Sequence, residues 1–258
     1  MKMIRFTALL ALPRQRASAL CGLLLLAFSS VSSADSLRVG MPLPGQVPFF
    51  WRDDSGVYKG IYADTLRLIA AELRVDLEFV PLSQARLRRH FIVGEIDIEA
   101  GVSTNLEVPQ ELQKVSLYSR PFGIVNEVII YRPELSFPVF ILKDLEGRRV
   151  ATVRGTTVPD SLIREDFSNQ LQIAQRVHRG WNDIGLMTED MALLYRREKN
   201  LNYEISLPYV SNPVTFRLHS AKRDLLKPMN RSIARLEQQG ELDRVVCKYL
   251  CGTAVLPD

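Results

Sequence analysis

Val150-Ala151-Thr152-Val153-Arg154-Gly155-Thr156-Thr157-Val158-Pro159-Asp160 runs from a β-branched, strand-forming segment through a glycine into residues with helix-start chemistry. Thr157 is placed as an N-cap, Pro159 falls in the first turn, and Asp160 lies three residues beyond the cap. The stretch predicts a strand, a tight turn and a helix. The first amides of a helix lack partners within it and carry the positive end of its dipole, so Gly155, Thr156 and Thr157 present donors where an anionic group could dock. The same residues equally describe a plain capped helix start. Taken alone, they decide neither.

Outward from this stretch, strands and helices alternate. Leu37–Met41 alternates like a strand and ends in a Pro- and Gly-rich turn at residues 42–48. Tyr62, Leu66, Ile69 and Leu73 recur at helical spacing, Val75–Val80 returns as a strand, Ser83–Val93 reads as a second helix, and Glu95–Glu99 alternates strictly. Further on lie strands at Ile124–Tyr131, Leu171–Val177, Tyr203–Leu207 and Val214–Leu218, a helix near Glu189–Arg197 and two C-terminal helices. This order predicts an α/β fold with largely parallel, doubly wound sheets that bind ligands beyond the carboxyl ends of their strands. In the first half those ends are Pro42–Trp51 and Gly101–Asn105. Phe49, Phe50 and Trp51 are successive aromatics, so in an extended segment at least one ring faces away from the core.

The chain of 258 residues is 47% hydrophobic, which suits a globular protein and argues against disorder. Its net charge of +4 is carried by one end. Lys2, Arg5, Arg14 and Arg16 precede the apolar run Ala17–Phe28 and a tract of small residues, the pattern of a secretory signal peptide cleaved after Ala34. The 33 Lys and Arg less these four leave 29, equal to the 29 Asp and Glu, so the mature chain is neutral and nucleic-acid binding is not expected. Cys247 and Cys251, four apart at a helix end in an exported chain, either bridge or pack singly. His90, His178 and His219 are scattered without partners at ligand spacing, which predicts no metal site, and no motif calls for a cofactor. There is no nucleophile elbow and no phosphate-binding Gly-rich loop.

The ordered pieces Leu37-Arg38-Val39-Gly40, Pro48-Phe49-Phe50, Gly60-Ile61-Tyr62-Ala63-Asp64, Gly94-Glu95-Ile96-Asp97, Tyr118-Ser119-Arg120-Pro121-Phe122, Leu145–Ala151, Gly155-Thr156-Thr157 and Gly240–Arg244 resemble the type-2 periplasmic solute-binding proteins of ABC importers, family 3, the polar amino-acid class. The resemblance implies a two-lobed, Venus-flytrap α/β fold: lobe 1 from residues 35–125 and 214–258, lobe 2 from 126–213, and hinge strands near 126–131 and 208–215. It implies a monomer in the periplasm that captures a small polar solute and presents it to an inner-membrane ABC permease.

The resemblance also carries over contact positions. An aromatic at Phe49 or Phe50 would stack on the solute, Ser103 and Thr104 would bond it from lobe 1, and Thr156 and Thr157 with the Gly155 amide from lobe 2. The family's carboxylate-clamping arginine falls at Leu112, and its ammonium-binding acid at Thr188, with Glu189 adjacent. The solute therefore lacks an α-carboxylate, or another arginine, Arg86 or Arg154, reaches it. Glu99 is read either as receiving a cationic or hydroxyl-rich ligand or as the outward face of an edge strand. The same fold occurs in cyclohexadienyl dehydratases, where Glu99 or Glu189 would be a general acid, and in sensory receptors that do not transport.

Overall fold

The computed structural model describes residues 36–43, 45–105, 108–135, 141–154, 156 and 158–251. The expected signal peptide, Gly155 and Thr157 lie outside these residues. Strands β1 (Leu37–Leu43), β2 (Trp51–Arg52) and β3 (Tyr58–Lys59) precede helix α1 (Ile61–Leu73), β4 (Leu77–Ser83), α2 (Gln84–Ile92), β5 (Ile98–Ser103), α3 (Gln110–Lys114) and β6 (Ser116–Tyr118). The chain continues through β7 (Gly123–Tyr131), β8 (Arg149–Val153), β9 (Ile163–Phe167), α4 (Gln170–His178), β10 (Ile184–Thr188), α5 (Glu189–Glu198), β11 (Glu204–Ile205), β12 (Val210–His219), α6 (Arg223–Gln238) and α7 (Glu241–Leu250).

One curled sheet runs β4-β1-β5-β12-β7-β10-β8-β9, with β6 on β12 and β11 on β7. Its two ends are parallel, β1 with β4 and β5, and β8 with β9 and β10. The middle is antiparallel, where β12 pairs with β5 and β7, and β7 with β10. Helices cover the parallel ends, as buried parallel strands require. The apolar side chains separate accordingly. Val39, Leu66, Ile69, Ile98 and Phe216 share a core with Met229, Ile233 and Tyr249 of the last two helices, while Val128, Ile130, Ala151, Ile173 and Tyr203 form another. β7 and β12 lie side by side from Gly123 to Glu127 and from Val210 to Val214, and β12 begins at Val210 and runs through Pro213, earlier than the strand expected at Val214–Leu218.

The opening stretch behaves differently from its reading. β8 forms as expected, but no helix follows Thr156. Pro159 and Asp160 sit in a turn, with the Leu162 amide donating to the Pro159 carbonyl at 3.1 Å, and the chain enters β9. Ile163-Arg164-Glu165-Asp166-Phe167 pairs with Arg149–Val153 along its whole length, and Thr152 Oγ1 donates to Asp166 Oδ1 at 2.7 Å. A full ladder satisfies the backbone groups that a short capped turn would leave half paired. The anion-docking helix start is thereby withdrawn. The helix comes later, as α4, where Asn169 Oδ1 accepts from the Gln172 amide at 2.9 Å. That replaces the strand expected at Leu171–Val177: buried Ile173, Ala174 and Val177 have the spacing of one helix face.

The three aromatics also depart from expectation. All are buried, Phe49 at 3%, Phe50 at 8% and Trp51 at 8% exposure, because residues 47–49 form a turn and do not extend. Tyr62 stacks on Phe49 and Phe50 with ring centroids 5.2 and 6.2 Å away, and Trp51 meets Tyr249 edge-on at 5.4 Å. Cys247 and Cys251 are joined in a disulfide at the end of α7.

Candidate functional site

A cavity of about 580 Å3 opens beyond the carboxyl ends of β1 and β5, a volume suited to a small organic molecule. Pro42 and Leu43 come from the end of β1, Gln84, Leu87 and Arg88 from α2, and Glu99 to Ser103 from β5. Val108, Pro109 and Leu112 close one side, Phe50 another, and Arg154 reaches it from just past β8. Gly101 permits this shape: its φ of +76° is left-handed, and a Cβ there would collide with the Tyr62 ring.

Two charged side chains on neighbouring strands form the floor. Arg217 of β12 stands directly across the ladder from Glu99 of β5, and Arg217 Nη2 donates to Glu99 Oε2. Both side chains are nearly enclosed, at 7% and 5% exposure. The guanidinium lies over the Phe91 ring at 5.0 Å. Burial, and after it the neighbouring Arg88 charge, pull the Arg217 pKa down to about 10, so it stays cationic at neutral pH. Its Nε is buried without a hydrogen-bond partner.

Of the residues expected at the site, the cavity gathers Phe50, Glu99, Ser103 and Arg154. Ser103 Oγ accepts from the Asn105 amide at 3.2 Å. Phe49 is packed in the core, Thr104 is exposed away from the cavity, and Thr156 lies in the turn after β8, its amide donating to the Val153 carbonyl at 3.0 Å. Glu99 is on no edge: β5 runs between β1 and β12. Nor is it an open receptor for a cation, since Arg217 holds it. Arg86 is exposed and does not line the cavity, and Leu112 is buried among Leu87, Phe91 and Ile96.

Thr188 and Glu189 form a separate cluster at the start of α5. The Thr188 hydroxyl and amide both donate to Gln170 Oε1, at 3.2 and 3.0 Å. Glu189 Oε2 accepts from Asn126 Nδ2 at 2.7 Å, and Asn126 Oδ1 accepts from the Ser211 hydroxyl at 2.7 Å, which joins α5 to the β7–β12 pair. Burial raises the pKa of neighbouring Glu127 to about 7, and burial followed by the Glu189 charge raises that of Asp190. Among the described residues, no group of three or more His, Cys, Asp and Glu is arranged to hold a metal ion.

Sequence reasoning passed over Arg217, Arg88 and Gln84. A signal for the first existed: Val214–Leu218 carries one buried positive charge, Arg217, and Ile96–Ala100 carries the buried acids Asp97 and Glu99. Reading the two strands as neighbours was the missing step.

The fold is that of the two-lobed type-2 periplasmic binding proteins. It matches an ancestral cationic amino acid solute-binding protein at a TM-score of 0.67 and 23% identity over 83% of this chain and 95% of the other. It also matches the GluR0 ligand-binding core in complex with L-glutamate at 0.68 and 21%, over 84% and 99%. A histidine kinase sensor domain similar to periplasmic binding proteins matches at 0.64 and 19%, over 84% and 96%. The chain belongs to the bacterial extracellular solute-binding proteins, family 3, whose profile matches residues 37–252. Comparison with curated proteins returns no match.

Proposed function

We propose that this protein is a periplasmic receptor that closes around a small polar solute and hands it to an inner-membrane ABC permease. One observation carries the reading: the cavity at the carboxyl ends of β1 and β5 takes Arg154 as a wall from beyond β8, so that side chains far apart in the chain meet on one ligand-sized space. In this reading residues 35–125 and 214–258 form lobe 1 and residues 126–213 form lobe 2. The β7–β12 pair is the hinge, and the protein acts as a monomer exported by residues 1–34. Phe50, Glu99, Ser103 and Arg154 contact the solute or frame its contacts. Thr188 and Glu189 act at the hinge through Gln170 and Asn126. A ligand shifts the open–closed equilibrium only by its differential contacts with the two states, which a wall supplied from the second lobe provides.

The enzymatic reading needs a free acid. Glu99 is bonded to Arg217 and Glu189 to Asn126, which supports binding over proton transfer. Incubating the mature protein with prephenate or arogenate is expected to give no product. The central test is a thermal-shift screen against amino acids, polyamines, organic acids and aromatic metabolites. A ligand at about one hundred times its Kd adds roughly 2.7 kcal/mol to stability. A screen without any shift would remove the receptor reading.

A further inference from the structure

The charges on the cavity wall are unbalanced. Among the described residues that line it, Arg88, Arg154 and Arg217 are cationic and Glu99 alone is anionic, so three positive charges less one negative leave two positive. Glu99 is already occupied by Arg217. The Arg217 guanidinium is not used up by that bond: Nη2 donates to Glu99, and among the described residues Nη1 donates to nothing, while Nε is closed off from the cavity. Its planar fork therefore keeps donors for a second acceptor, and a buried guanidinium with idle donors is stabilised by an anion that takes them. The rest of the wall is apolar at Phe50, Leu87, Val108 and Leu112. Among the described lining residues no carboxylate remains to receive an ammonium group.

Resting on the receptor reading, we propose that the cavity binds an organic carboxylate without an α-ammonium group, its carboxylate facing Arg217 with Arg88 and Arg154 beside it and its apolar body against Phe50 and Leu112. A bare inorganic anion shares the charge but leaves the apolar wall unfilled. An α-amino acid brings an ammonium group into a space whose one described carboxylate, Glu99, is held by Arg217.

The experiment is calorimetric titration and thermal shift of the mature protein with aliphatic and aromatic mono- and dicarboxylates, with inorganic sulfate and phosphate, and with α-amino acids. The pair 3-phenylpropionate and L-phenylalanine isolates the ammonium group. Carboxylates are expected to bind, the deaminated member of the pair more tightly. Arg217→Gln should weaken that binding roughly ten- to hundredfold. Because Arg217 is buried and its variant could fail to fold, the exposed Arg88→Gln and Arg154→Gln are tested beside it, with Arg86→Gln, which lies off the cavity, as the control. Preferential binding of amino acids, insensitive to Arg217→Gln and Arg88→Gln, overturns the proposal and leaves the receptor reading standing. Sulfate or phosphate binding alone overturns it as well. A melt unmoved by every class here and by the polyamines of the wider screen overturns both.

Discussion

Arg217 and Glu99 face each other across the antiparallel ladder of β12 and β5, each side chain more than nine-tenths enclosed, with Nη2 of the arginine donating to Oε2 of the glutamate. Removing one partner strands the other charge in a poorly solvated space, whereas removing both leaves only a packing problem. Arg217→Met is therefore expected to destabilise the protein by about 3–5 kcal/mol, and Glu99→Leu combined with Arg217→Met to recover most of that loss. Urea denaturation of the single and double variants measures both. Additive losses would show that the pair does not act as a unit.

Gly101 adopts a φ of +76° with the Tyr62 ring where a Cβ would stand. Gly101→Val is expected to lose at least about 1–3 kcal/mol through backbone strain, with further loss from displacing Tyr62. Gly123, which has nothing within 4 Å of its Cβ position, is the control, and Gly123→Val should change stability by less than about 1 kcal/mol. Equal effects at the two glycines would show that the Tyr62 contact is immaterial.

Tyr249 of α7 ties the end of the chain to the start of α1. Its hydroxyl donates to Asp64 Oδ2 at 2.5 Å and accepts from the Gly60 amide at 3.2 Å. Tyr249→Phe keeps the ring against Trp51 and deletes both bonds, so a loss of about 1–3 kcal/mol is expected. A thermal melt unchanged within error would mean that water replaces the hydroxyl.

The acids beside the β7–β12 pair set a pH dependence. Burial lifts the Glu127 pKa to about 7, and Asp190 moves in the same direction. A carboxyl with a raised folded-state pKa binds its proton more tightly in the folded chain. Its contribution is fully present below the unfolded value, about 4.3 for Glu, and is lost as pH rises through about 7. Stability should thus fall between those two values, and Glu127→Gln should flatten the decline. Denaturant midpoints across that window decide it. A variant whose profile parallels the wild type would place the titration elsewhere.

The alternation of β1, α1, β4 and α2 was legible because each element buries its own periodic apolar face, as Val39, Leu66 and Leu87 do. The region from Pro159 to Val177 was not, because its structure depends on a partner in space. β9 exists by virtue of its ladder with β8, and nothing in the local sequence outweighs the Thr-Pro-Asp helix signals. The site divides in the same manner. Phe50 and Ser103 could be placed from the ends of their strands, but the assignment of Glu99 required knowing which strand lies beside β5. Arg217 comes from near the end of the chain, and its meaning appears only when β12 is set next to Glu99.

Leu37 at the start of the described chain and Tyr249 near its end are packed in the same core, apart from the core built on Ile130 and Ile173. In the proposed two-lobed receptor, fluorophores placed beside Leu37 and beside Tyr249 would ride on one body and keep a constant separation when solute binds. An optical sensor made from this protein needs one dye at a terminus and the other on the exposed Leu193 of α5.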